Sequence, residues 1–522
     1  MNREQSSLSV HDLSFSYPDY PGLPGRELFS SLSFELPRGS VIVLLGKPDS
    51  GKTTLCRIVL GLVPRFTGGT LSGRVRLPGG SVDASAPYEL IEQVGSVFQN
   101  PADQLFASRC DLEVAFALES LGWSPARMCA RVGEALRWMG LDAMRERNPL
   151  TLSGGEKKKL LLACLFAVDP QLWLLDETLE ELDAASRTVL LDYVKKRGTT
   201  VLLASAKWHD VFGEYADRVL LLEDGAVEPL VARPGSKPFA ERLERTGLTL
   251  PASAPAVASP SAGAEARAGA GPESDRGGSE AAEAAPRAEN RVDRGRTVGG
   301  RRLIRVRGLS FRYPEGGSFR LEVPGLEIRE GEVVALIGPN GSGKTTLGRI
   351  LCGLLEPQKG SVEILQGDEL RPAAAEQLNR YTGYLFQDPD LQIFLPTVAD
   401  ELGYGLRLRG LGPEEIERTV SDAIGRFRLP GPEVPPALMS YGSRKRLQAA
   451  VCYLLERPVL VVDEGDSGLG AREFAGLLRQ LRSAANGRRR VPERGLMFIT
   501  HDLHVAARLA DRVVRLQEGK PE

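Results

Sequence analysis

The stretch GPNGSGKTT at residues 338–346 decides the fold, and a second version, GKPDSGKTT, stands at residues 46–54. Both fit the pattern G-x-x-x-x-G-K-S/T, in which glycines let backbone N–H groups turn toward an anionic phosphate. The lysine of this pattern reaches the outer phosphates, and the Ser or Thr hydroxyl holds Mg²⁺. Because two such matches in similar settings do not arise by chance, we predict two nucleotide sites. The residues predicted to bind are Gly46, Ser50, Gly51, Lys52, Thr53 and Thr54 in the first loop, and Gly338, Asn340, Gly341, Ser342, Gly343, Lys344, Thr345 and Thr346 in the second.

The surroundings of each loop support this interpretation. An apolar strand pattern precedes each loop, at residues 41–45 and 333–337, and an apolar helical pattern follows it, at residues 55–62 and 347–355. The phosphate would then lie at a helix N-terminus, where unpaired N–H groups favour an anion. Short apolar runs alternate with longer helical stretches in both halves, so we predict an α/β fold for each.

The chain contains an internal repeat. LSFSYP at residues 13–18 recurs as LSFRYP at residues 309–314, and VFQNP at residues 97–101 recurs as LFQDP at residues 385–389. With the phosphate loops, these landmarks follow one order at a nearly constant spacing, which indicates a duplicated domain of about 220 residues. We place the first domain at residues 1–232 and the second at residues 301–522.

The segment between the copies, residues 233–300, is rich in Ala, Pro, Gly, Ser and Glu and has no apolar periodicity. This composition predicts a flexible, disordered linker, with a Pro-spaced binding motif as the alternative. A flexible chain of this length has an r.m.s. span of about 45 Å, from about 5–6 Å × √n. The two domains could therefore pair within one chain.

Composition and charge exclude two classes of protein. The net charge of −2 argues against a general nucleic-acid binder, whose footprint is basic. Residues 1–15 have no apolar signal-peptide core, and the longest apolar runs are about half of what a membrane span needs. If the chain serves transport, other proteins must supply the membrane path.

Two Asp-Glu pairs end apolar strand patterns, in LWLLDE at residues 172–177 and VLVVDE at residues 459–464. At the end of a strand beside a phosphate loop, Asp176 and Asp463 would bind Mg²⁺ through its water shell. Glu177 and Glu464 would orient and deprotonate an attacking water, which makes them candidate catalytic residues.

The first half also carries LSGGE at residues 152–156, which leads into a basic and then apolar helix. With this motif the chain resembles the ATP-binding subunits of ABC transporters, over both halves. The resemblance implies tandem P-loop NTPase domains of ABC type, each with a helical subdomain, and ATP with Mg²⁺ as ligands. In that family two ATPase domains pair head to tail, and each nucleotide lies between the loop of one and the LSGGQ-like signature of the other.

The resemblance implies further roles for residues of this chain. Tyr17 and Tyr313 match the position that stacks on adenine, with a core tyrosine as the alternative, and His501 matches the histidine that contacts the γ-phosphate. Gln99 and Gln387 match the glutamine that contacts Mg²⁺ or water and senses the transmembrane partner. The signature residues expected at the nucleotide are Ser153, Gly154, Gly155, Glu156, Ser440 and Gly442. The expected metal residues are Thr53, Gln99, Asp176, Thr345, Gln387 and Asp463.

The region after each glutamine is similar to the ATPases of energy-coupling factor (ECF) transporters. The triplets QLF at residues 104–106 and QIF at residues 392–394 carry this similarity. It implies an importer of a vitamin or a transition-metal ion, whose substrate is chosen by a separate protein. The implied partners are a transmembrane coupling protein and a small substrate-binding membrane protein, with no nucleic acid. The chain would then be peripheral, at the cytoplasmic face of the cell membrane.

The two copies differ in their motifs. MSYGS at residues 439–443 replaces LSGGE, so Tyr441 stands where a glycine lets the backbone approach phosphate. The first loop places Asp49, a negative charge, among the residues expected to surround an anionic phosphate. The first-half counterpart of His501 is Ala206 or Lys207, depending on the alignment, and His209 could replace it only with a loop distortion.

Head-to-tail pairing sorts these differences into two composite sites. The consensus site joins loop 338–346 to LSGGE and takes Glu464, His501 and Asp183. The degenerate site joins loop 46–54 to MSYGS and takes Glu177. Our hypothesis is that the consensus site hydrolyses ATP and that the degenerate site mainly holds nucleotide.

Two other functions stay open at this point. A soluble tandem ABC ATPase acting on ribosomes or nucleic acid is the first, but such proteins usually need a basic arm that this chain does not supply. A regulatory pair that binds ATP without turnover is the second, and the complete set of motifs in the second half argues against it.

Overall fold

The computed structural model describes residues 6–19, 25–232, 234–248, 300–314, 319–339, 341–483 and 493–521. The strands of the first half are β1 (Ser6–Ser16), β2 (Glu27–Pro37), β3 (Val41–Gly46), β4 (Thr70–Leu77), β5 (Gly80–Ser81), β6 (Val94–Val97), β7 (Leu172–Asp176), β8 (Thr200–Ser205), β9 (Arg218–Glu223) and β10 (Ala226–Pro229). Its helices are α1 (Lys52–Val59), α2 (Cys110–Ser120), α3 (Pro125–Trp138), α4 (Gly154–Val168), α5 (Ala184–Arg197), α6 (Phe212–Tyr215) and α7 (Lys237–Thr246).

The second half repeats most of this order. Its strands are β11 (Arg302–Phe311), β12 (Leu321–Arg329), β13 (Val333–Ile337), β14 (Lys359–Gln366), β15 (Glu369–Pro372), β16 (Thr382–Leu385), β17 (Val459–Asp463), β18 (Gly495–Ile499), β19 (Arg512–Gln517) and β20 (Lys520–Pro521). Its helices are α8 (Lys344–Leu351), α9 (Ala375–Tyr381), α10 (Val398–Leu408), α11 (Pro413–Phe427), α12 (Tyr441–Leu454), α13 (Ala471–Arg482) and α14 (Leu503–Leu509). None of the helices in these described ranges is long and apolar enough to cross a bilayer.

Each half is built on a six-stranded sheet whose inner strands are parallel. The orders are β10-β9-β3-β8-β7-β6 and β16-β17-β18-β13-β19-β20. Strands β7 and β8 are buried along their whole length, which explains their unbroken apolar runs, because a parallel sheet is covered on both faces. The carboxyl ends of β3, β7 and β8 meet at one edge, so the phosphate loop and the Asp-Glu pair come together there.

Two layers cover this sheet. An antiparallel sheet, β2-β1-β4-β5 or β12-β11-β14-β15, shares one core with α1 or α8 on the first face. Helices α2 to α5, and α10 to α13 in the second half, share the core of the opposite face. Two tandem α/β domains, each with a helical subdomain, are therefore confirmed.

The predicted linker needs a correction at its start. Residues 234–248, which we expected to be disordered, contain helix α7, capped by Ser236. Phe239 and Leu243, four residues apart, are buried in the core of the first half, and Phe239 packs edge-on against Trp208 at 4.6 Å. Two apolar residues in a polar, Pro- and Gly-flanked stretch were too weak a pattern to predict this helix. The rest of the predicted linker, residues 249–299, lies outside the described residues.

Candidate nucleotide sites

In each phosphate loop, the glycine before the lysine stands directly before a helix. Gly51 (φ 105°) precedes α1, Gly343 (φ 99°) precedes α8, and neither helix has a side-chain cap. A Cβ at Gly51 would lie 2.7 Å from the ring of Phe29, and one at Gly343 would lie 2.8 Å from the ring of Phe319. A side chain therefore fits at neither position, and the first N–H groups of both helices can meet a phosphate.

The loop lysines and serines fit an anion as well. Lys52 Nζ donates to two carbonyl oxygens of its own loop, at 2.8 and 2.9 Å, and Lys344 Nζ does the same at 2.9 and 3.0 Å. Burial lowers the pKa of Lys344. Within the described part of the chain, the buried hydroxyls of Ser50 and Ser342 have no hydrogen-bond partner. A phosphate would satisfy these donors. Asn340 lies outside the described residues.

A hydroxyl and a carboxylate meet beside each loop, as expected for a metal site. Thr53 Oγ1 donates to Asp176 Oδ2 at 2.5 Å, and Thr345 Oγ1 donates to Asp463 Oδ1 at 3.3 Å. Burial raises the pKa of both aspartates. Among the described residues, the buried Oδ1 of Asp176 has no partner. Buried oxygens of this kind fit Mg²⁺, whose charge would stabilise the ionised carboxylates.

The glutamate next to each of these aspartates accepts a hydrogen bond from a glutamine at the equivalent position of its own half. Gln99 Nε2 donates to Glu177 Oε2 at 2.7 Å, and Gln387 Nε2 donates to Glu464 Oε2 at 2.7 Å. Both glutamates have a left-handed backbone, with φ of 48° and 46°, which turns the chain sharply at the end of the strand. Lys52 Nζ lies 3.7 Å from Glu177, whose pKa is raised by burial. The structure thus joins each glutamine to the candidate catalytic base of its own half.

The third predicted catalytic residue, His501, distinguishes the halves. Its Nε2 lies 2.9 Å from Glu464 Oε1. Strand register identifies its first-half counterpart, because Asp176 pairs with Ala204 as Asp463 pairs with Ile499. Counting two residues onward from each strand partner places Ala206 at the position of His501, and Lys207 at that of Asp502. The methyl group of an alanine cannot donate a hydrogen bond to a phosphate.

His209 does not take over this position. Its ring packs edge-on against Phe212 at 5.2 Å, and within the described residues its buried Nε2 has no partner. Burial lowers its pKa to about 3, so the imidazole is neutral. His209 lines a cavity of about 320 Å³ between the halves, which Glu464 and His501 also line.

The tyrosines expected at adenine stand beside the phosphate loops. Tyr17 Oη lies 2.8 Å from Thr54 Oγ1, and Tyr313 Oη lies 3.1 Å from Thr346 Oγ1. Tyr313 is exposed and Tyr17 is half-buried. Each tyrosine thus stands beside the end of its phosphate loop, and its stacking on adenine stays a prediction.

The two signature motifs begin helices in the same manner. Ser153 caps α4, and its Oγ accepts from the N–H of Glu156, whose carboxylate accepts from the N–H of Ser153. Gly154 and Gly155 form the first turn of α4. In the second half Ser440 caps α12, and Gly442 is buried against the Gly468 carbonyl. Tyr441 Oη donates to the Gln387 carbonyl at 3.0 Å, so this bulky residue turns toward its own glutamine loop.

The structure brings loop 46–54 to the signature of the other half. A Cβ at Gly442 would lie 3.8 Å from Pro48 Cβ, and one at Gly470 would lie 3.5 Å from Pro48 Cδ. Asp49 and Arg446 are 3.8 Å apart across the same contact. Loop 338–346 is more open, since Pro339 and Gly341 are exposed, whereas Pro48 and Asp49 are half-buried.

The signature helices use equivalent cations in different ways. Lys159 on α4 donates to Asp183 of its own half at 2.9 Å. For its counterpart Arg446 on α12, glycine at position 470 replaces this aspartate. Arg446 lies 3.9 Å from Glu473 of its own half and 3.8 Å from Asp49 of the first half. The cation of the second signature helix is thus shared between an acid of its own half and an acid of the other.

Three buried residues at the sites escaped the sequence analysis. Lys158 Nζ donates to the carbonyls of Phe98 and Gln99, and its counterpart Lys445 donates to the Gln387 carbonyl. Each ties a signature helix to the glutamine loop. A lysine in the middle of both KKK and RKR was the available signal. Tyr384 Oη donates to Asp463 Oδ2 at 2.5 Å, and no sequence motif marked it.

Comparison with known proteins identifies the family of this chain. The ABC transporter family model matches residues 29–180 and 321–467. A Methanosarcina acetivorans protein, provisionally named an ABC transporter ATP-binding protein, is 32% identical over 98% of this chain and 84% of its own length. YkoD of Bacillus subtilis, provisionally named an HMP/thiamine import ATP-binding protein, is 28% identical over 98% of this chain and 90% of its own length. The structure of CbiO1 from Clostridium perfringens, part of the ABC transporter complex CbiONQ, covers 47% of this chain and 96% of that chain, with 26% identity and a TM-score of 0.39.

Proposed function

The chain belongs to the ABC transporter family, and on that premise we propose that it drives an ECF-type importer of a vitamin or a transition-metal ion. It is an ATP-binding subunit of an ABC transporter and an ATPase. The further proposal concerns the substrate class, the partners and the division of labour between the two sites. The name of the relative YkoD, which refers to HMP/thiamine import, supports the choice of a vitamin.

The observation that carries the proposal is a pair of exposed aromatic contacts, one beside each glutamine loop. Phe106 and Phe116 meet edge-on at 4.7 Å, and the equivalent Phe394 and Tyr404 meet at 5.6 Å. Phe106 is 64% exposed and Phe394 is 68% exposed. Exposed aromatic pairs of this kind favour a protein contact. Their repetition in both halves fits a transmembrane coupling protein that touches both domains.

These aromatic pairs stand on a rigid support. Buried Glu113 accepts from the N–H groups of Phe106 and Ala107, at 3.0 and 2.7 Å. Glu401 accepts in the same way from those of Phe394 and Leu395, at 3.1 and 2.8 Å. A carboxylate that takes two N–H groups holds the loop in one conformation. Movement of the glutamine loop would therefore pass directly to the docked partner.

The two nucleotide sites would divide their tasks. At the consensus site, Glu464 would orient the attacking water and accept its proton. His501, which lies beside Glu464, would donate to the γ-phosphate. Lys344 and the first N–H groups of α8 would bind the phosphate oxygens. When bound, Mg²⁺ neutralises charge on the β- and γ-phosphates, and Thr345 and Asp463 would hold it. At the degenerate site Ala206 leaves this set incomplete, so nucleotide would be held there rather than hydrolysed.

Co-expression with an ECF-type coupling protein and a small substrate-binding membrane protein tests the proposal. We expect the chain to fractionate with membranes only when the coupling protein is present, and vesicles holding the complex to import a labelled vitamin or Ni²⁺/Co²⁺ with ATP. Phe106→Ser with Phe394→Ser should abolish membrane association without changing nucleotide binding. Ribosome association without the coupling protein would instead favour the soluble tandem ATPase.

A further inference from the structure

A buried ion pair joins the two halves next to the consensus site. Lys207 Nζ of the first half donates to Asp466 Oδ2 of the second half at 2.9 Å. Lys207 is 6% exposed and Asp466 is 7% exposed, so water screens neither charge well. Glu180 Oε2 lies 3.9 Å from the same ammonium. Breaking one side of such a pair leaves an uncompensated buried charge, so the contact constrains how the halves meet.

The acid of this pair belongs to the loop that carries the candidate catalytic base. Asp466 follows Glu464 by two residues. The Oδ2 atom that accepts from Lys207 also accepts from Thr500 Oγ1, at 3.0 Å. Thr500 is fully buried and precedes His501, whose Nε2 lies 2.9 Å from Glu464. One carboxylate oxygen therefore ties the loop after Glu464 to the strand end that bears His501, and Lys207 fixes that oxygen from the other half.

The arrangement has no mirror image at the degenerate site. Leu179 occupies the position of Asp466 in the first half and is buried. Asp502, the counterpart of Lys207, caps helix α14 by accepting from the N–H groups of His504 and Val505. Among the described residues, the first half, which has no counterpart of His501, therefore has no equivalent of this buried pair at its own Asp-Glu loop.

We propose that Lys207 is a positioning residue for ATP hydrolysis at the consensus site, acting on Glu464 and His501 through Asp466. The inference rests on the proposed assignment of hydrolysis to that site. Within the described part of the chain, the ammonium of Lys207 pairs with Asp466 and Glu180 and with neither of these two side chains. Its effect therefore passes through Asp466 and Thr500. Loss of Lys207 should loosen the water-orienting groups and leave nucleotide binding intact.

Steady-state ATP hydrolysis by the full chain with Mg²⁺ tests this role. We expect Lys207→Met to lower kcat about tenfold or more and to leave the KM for ATP within about twofold, because small displacements of reacting groups have effects of this size. Lys207→Arg should restore kcat to within about threefold, since it keeps a cation at Asp466. Lys195→Met is the matched control, because the pair between Lys195 and Asp217 is solvent-exposed.

A neutral double variant separates positioning from folding. Lys207→Met with Asp466→Leu removes both charges and places in the second half the leucine that the first half already has. We expect it to fold, with a melting temperature near that of the wild type, and to keep the low kcat. Recovery of kcat in the double variant, or an unchanged kcat in Lys207→Met, would overturn the inference.

Glu464→Gln, measured alongside, shows which proposal has failed. If it abolishes turnover while Lys207→Met does not reduce kcat, only the positioning role is wrong. If Glu464→Gln keeps turnover, the assignment of hydrolysis to the consensus site is wrong, and the role of Lys207 fails with it.

Discussion

The two phosphate loops have the same length and end in the same residues, but their neighbours differ. Loop 46–54 carries Asp49, which is 28% exposed and faces Arg446 of the other half at 3.8 Å. At the equivalent position loop 338–346 has Gly341, where a Cβ would meet no atom within 4 Å. The difference teaches that equivalent positions of the two loops meet different surroundings. The second half has Gly470 where the first has Asp183, and its Arg446 reaches Asp49 across the contact as well as Glu473 of its own half.

The largest effect expected from this comparison concerns the two candidate bases. In single-turnover hydrolysis with the full chain, Glu464→Gln should reduce the rate about 100-fold or more, because it removes the proton acceptor at the complete site. Glu177→Gln should stay within about threefold of the wild type. Loss of turnover in Glu177→Gln with turnover kept in Glu464→Gln would reverse the assignment, and equal losses would mean that both sites cycle.

Restoring the motifs of the degenerate site should give a smaller effect. In the Glu464→Gln background, we expect Ala206→His with Tyr441→Gly to raise residual hydrolysis about tenfold, because the strand register places the new imidazole beside Glu177. The measurement is phosphate release under excess ATP. Trp208→His, two residues further on, is the matched control and should give no gain. If both variants stay at background, a residue other than Ala206 limits this site.

The contact between Asp49 and Arg446 should have a weaker effect, since both side chains are partly exposed and the atoms are 3.8 Å apart. A thiol cross-link made by a short bifunctional reagent between Pro48→Cys and Gly470→Cys would report this contact, and exposed Cys129 would be replaced by serine. We expect Arg446→Ala to lower the cross-linking rate about two- to fivefold, as for an ion pair of about 0.5–1 kcal/mol. The charge swap Asp49→Arg with Arg446→Asp should restore it. No recovery in the swapped variant would show that the two residues do not act as a pair.

The last prediction concerns stability rather than turnover, at Glu180 beside Lys207, and should leave hydrolysis the least affected. Burial raises the pKa of Glu180 to about 8, against the attraction of Lys207. An unfolded glutamate titrates near 4.3, so the folded state binds the extra proton between about pH 4.3 and 8. The stability gained from that proton is complete below this window and is lost as pH rises through 8.

Thermal unfolding at pH 5 and pH 8 measures this loss. Between these values the wild type should lose about 3–4 kcal/mol relative to Glu180→Gln, which cannot ionise, because each pKa unit corresponds to about 1.4 kcal/mol. Exposed Glu134→Gln is the control and should follow the wild type. Parallel curves for the wild type and Glu180→Gln would mean that the carboxyl of Glu180 does not titrate in this window.

Contiguous motifs explain what could be predicted from the sequence. The phosphate loops, the Asp-Glu pairs and the LSGGE signature each hold their chemistry within a few residues, and the strand and helix beside each loop have strong apolar patterns. The α/β fold and the meeting of Lys52 with Asp176 and Glu177 follow from these patterns. The counterpart of His501 stayed ambiguous until strand register identified Ala206, because the sequence AKWHD allows more than one alignment.

Contacts between distant residues could not be predicted. Lys207 and Asp466 are separated by 259 positions, and neither belongs to a motif that requires a partner. The same holds for Asp49 and Arg446, whose pairing depends on the register in which the two halves meet. Helix α7 was missed for a different reason, since its stability comes from burying Phe239 and Leu243 on the first half rather than from its own polar sequence.

The end of helix α7 also determines where the connection between the halves begins. A Cβ at Gly247 would lie 3.4 Å from Arg472 Cδ, and the Gly247 carbonyl faces Gly470, close to Pro48. The described part of the first half therefore ends where the two halves already touch. If the halves separate elsewhere and stay together here, this contact acts as a hinge. The end of helix α7 would then be displaced least by the movement.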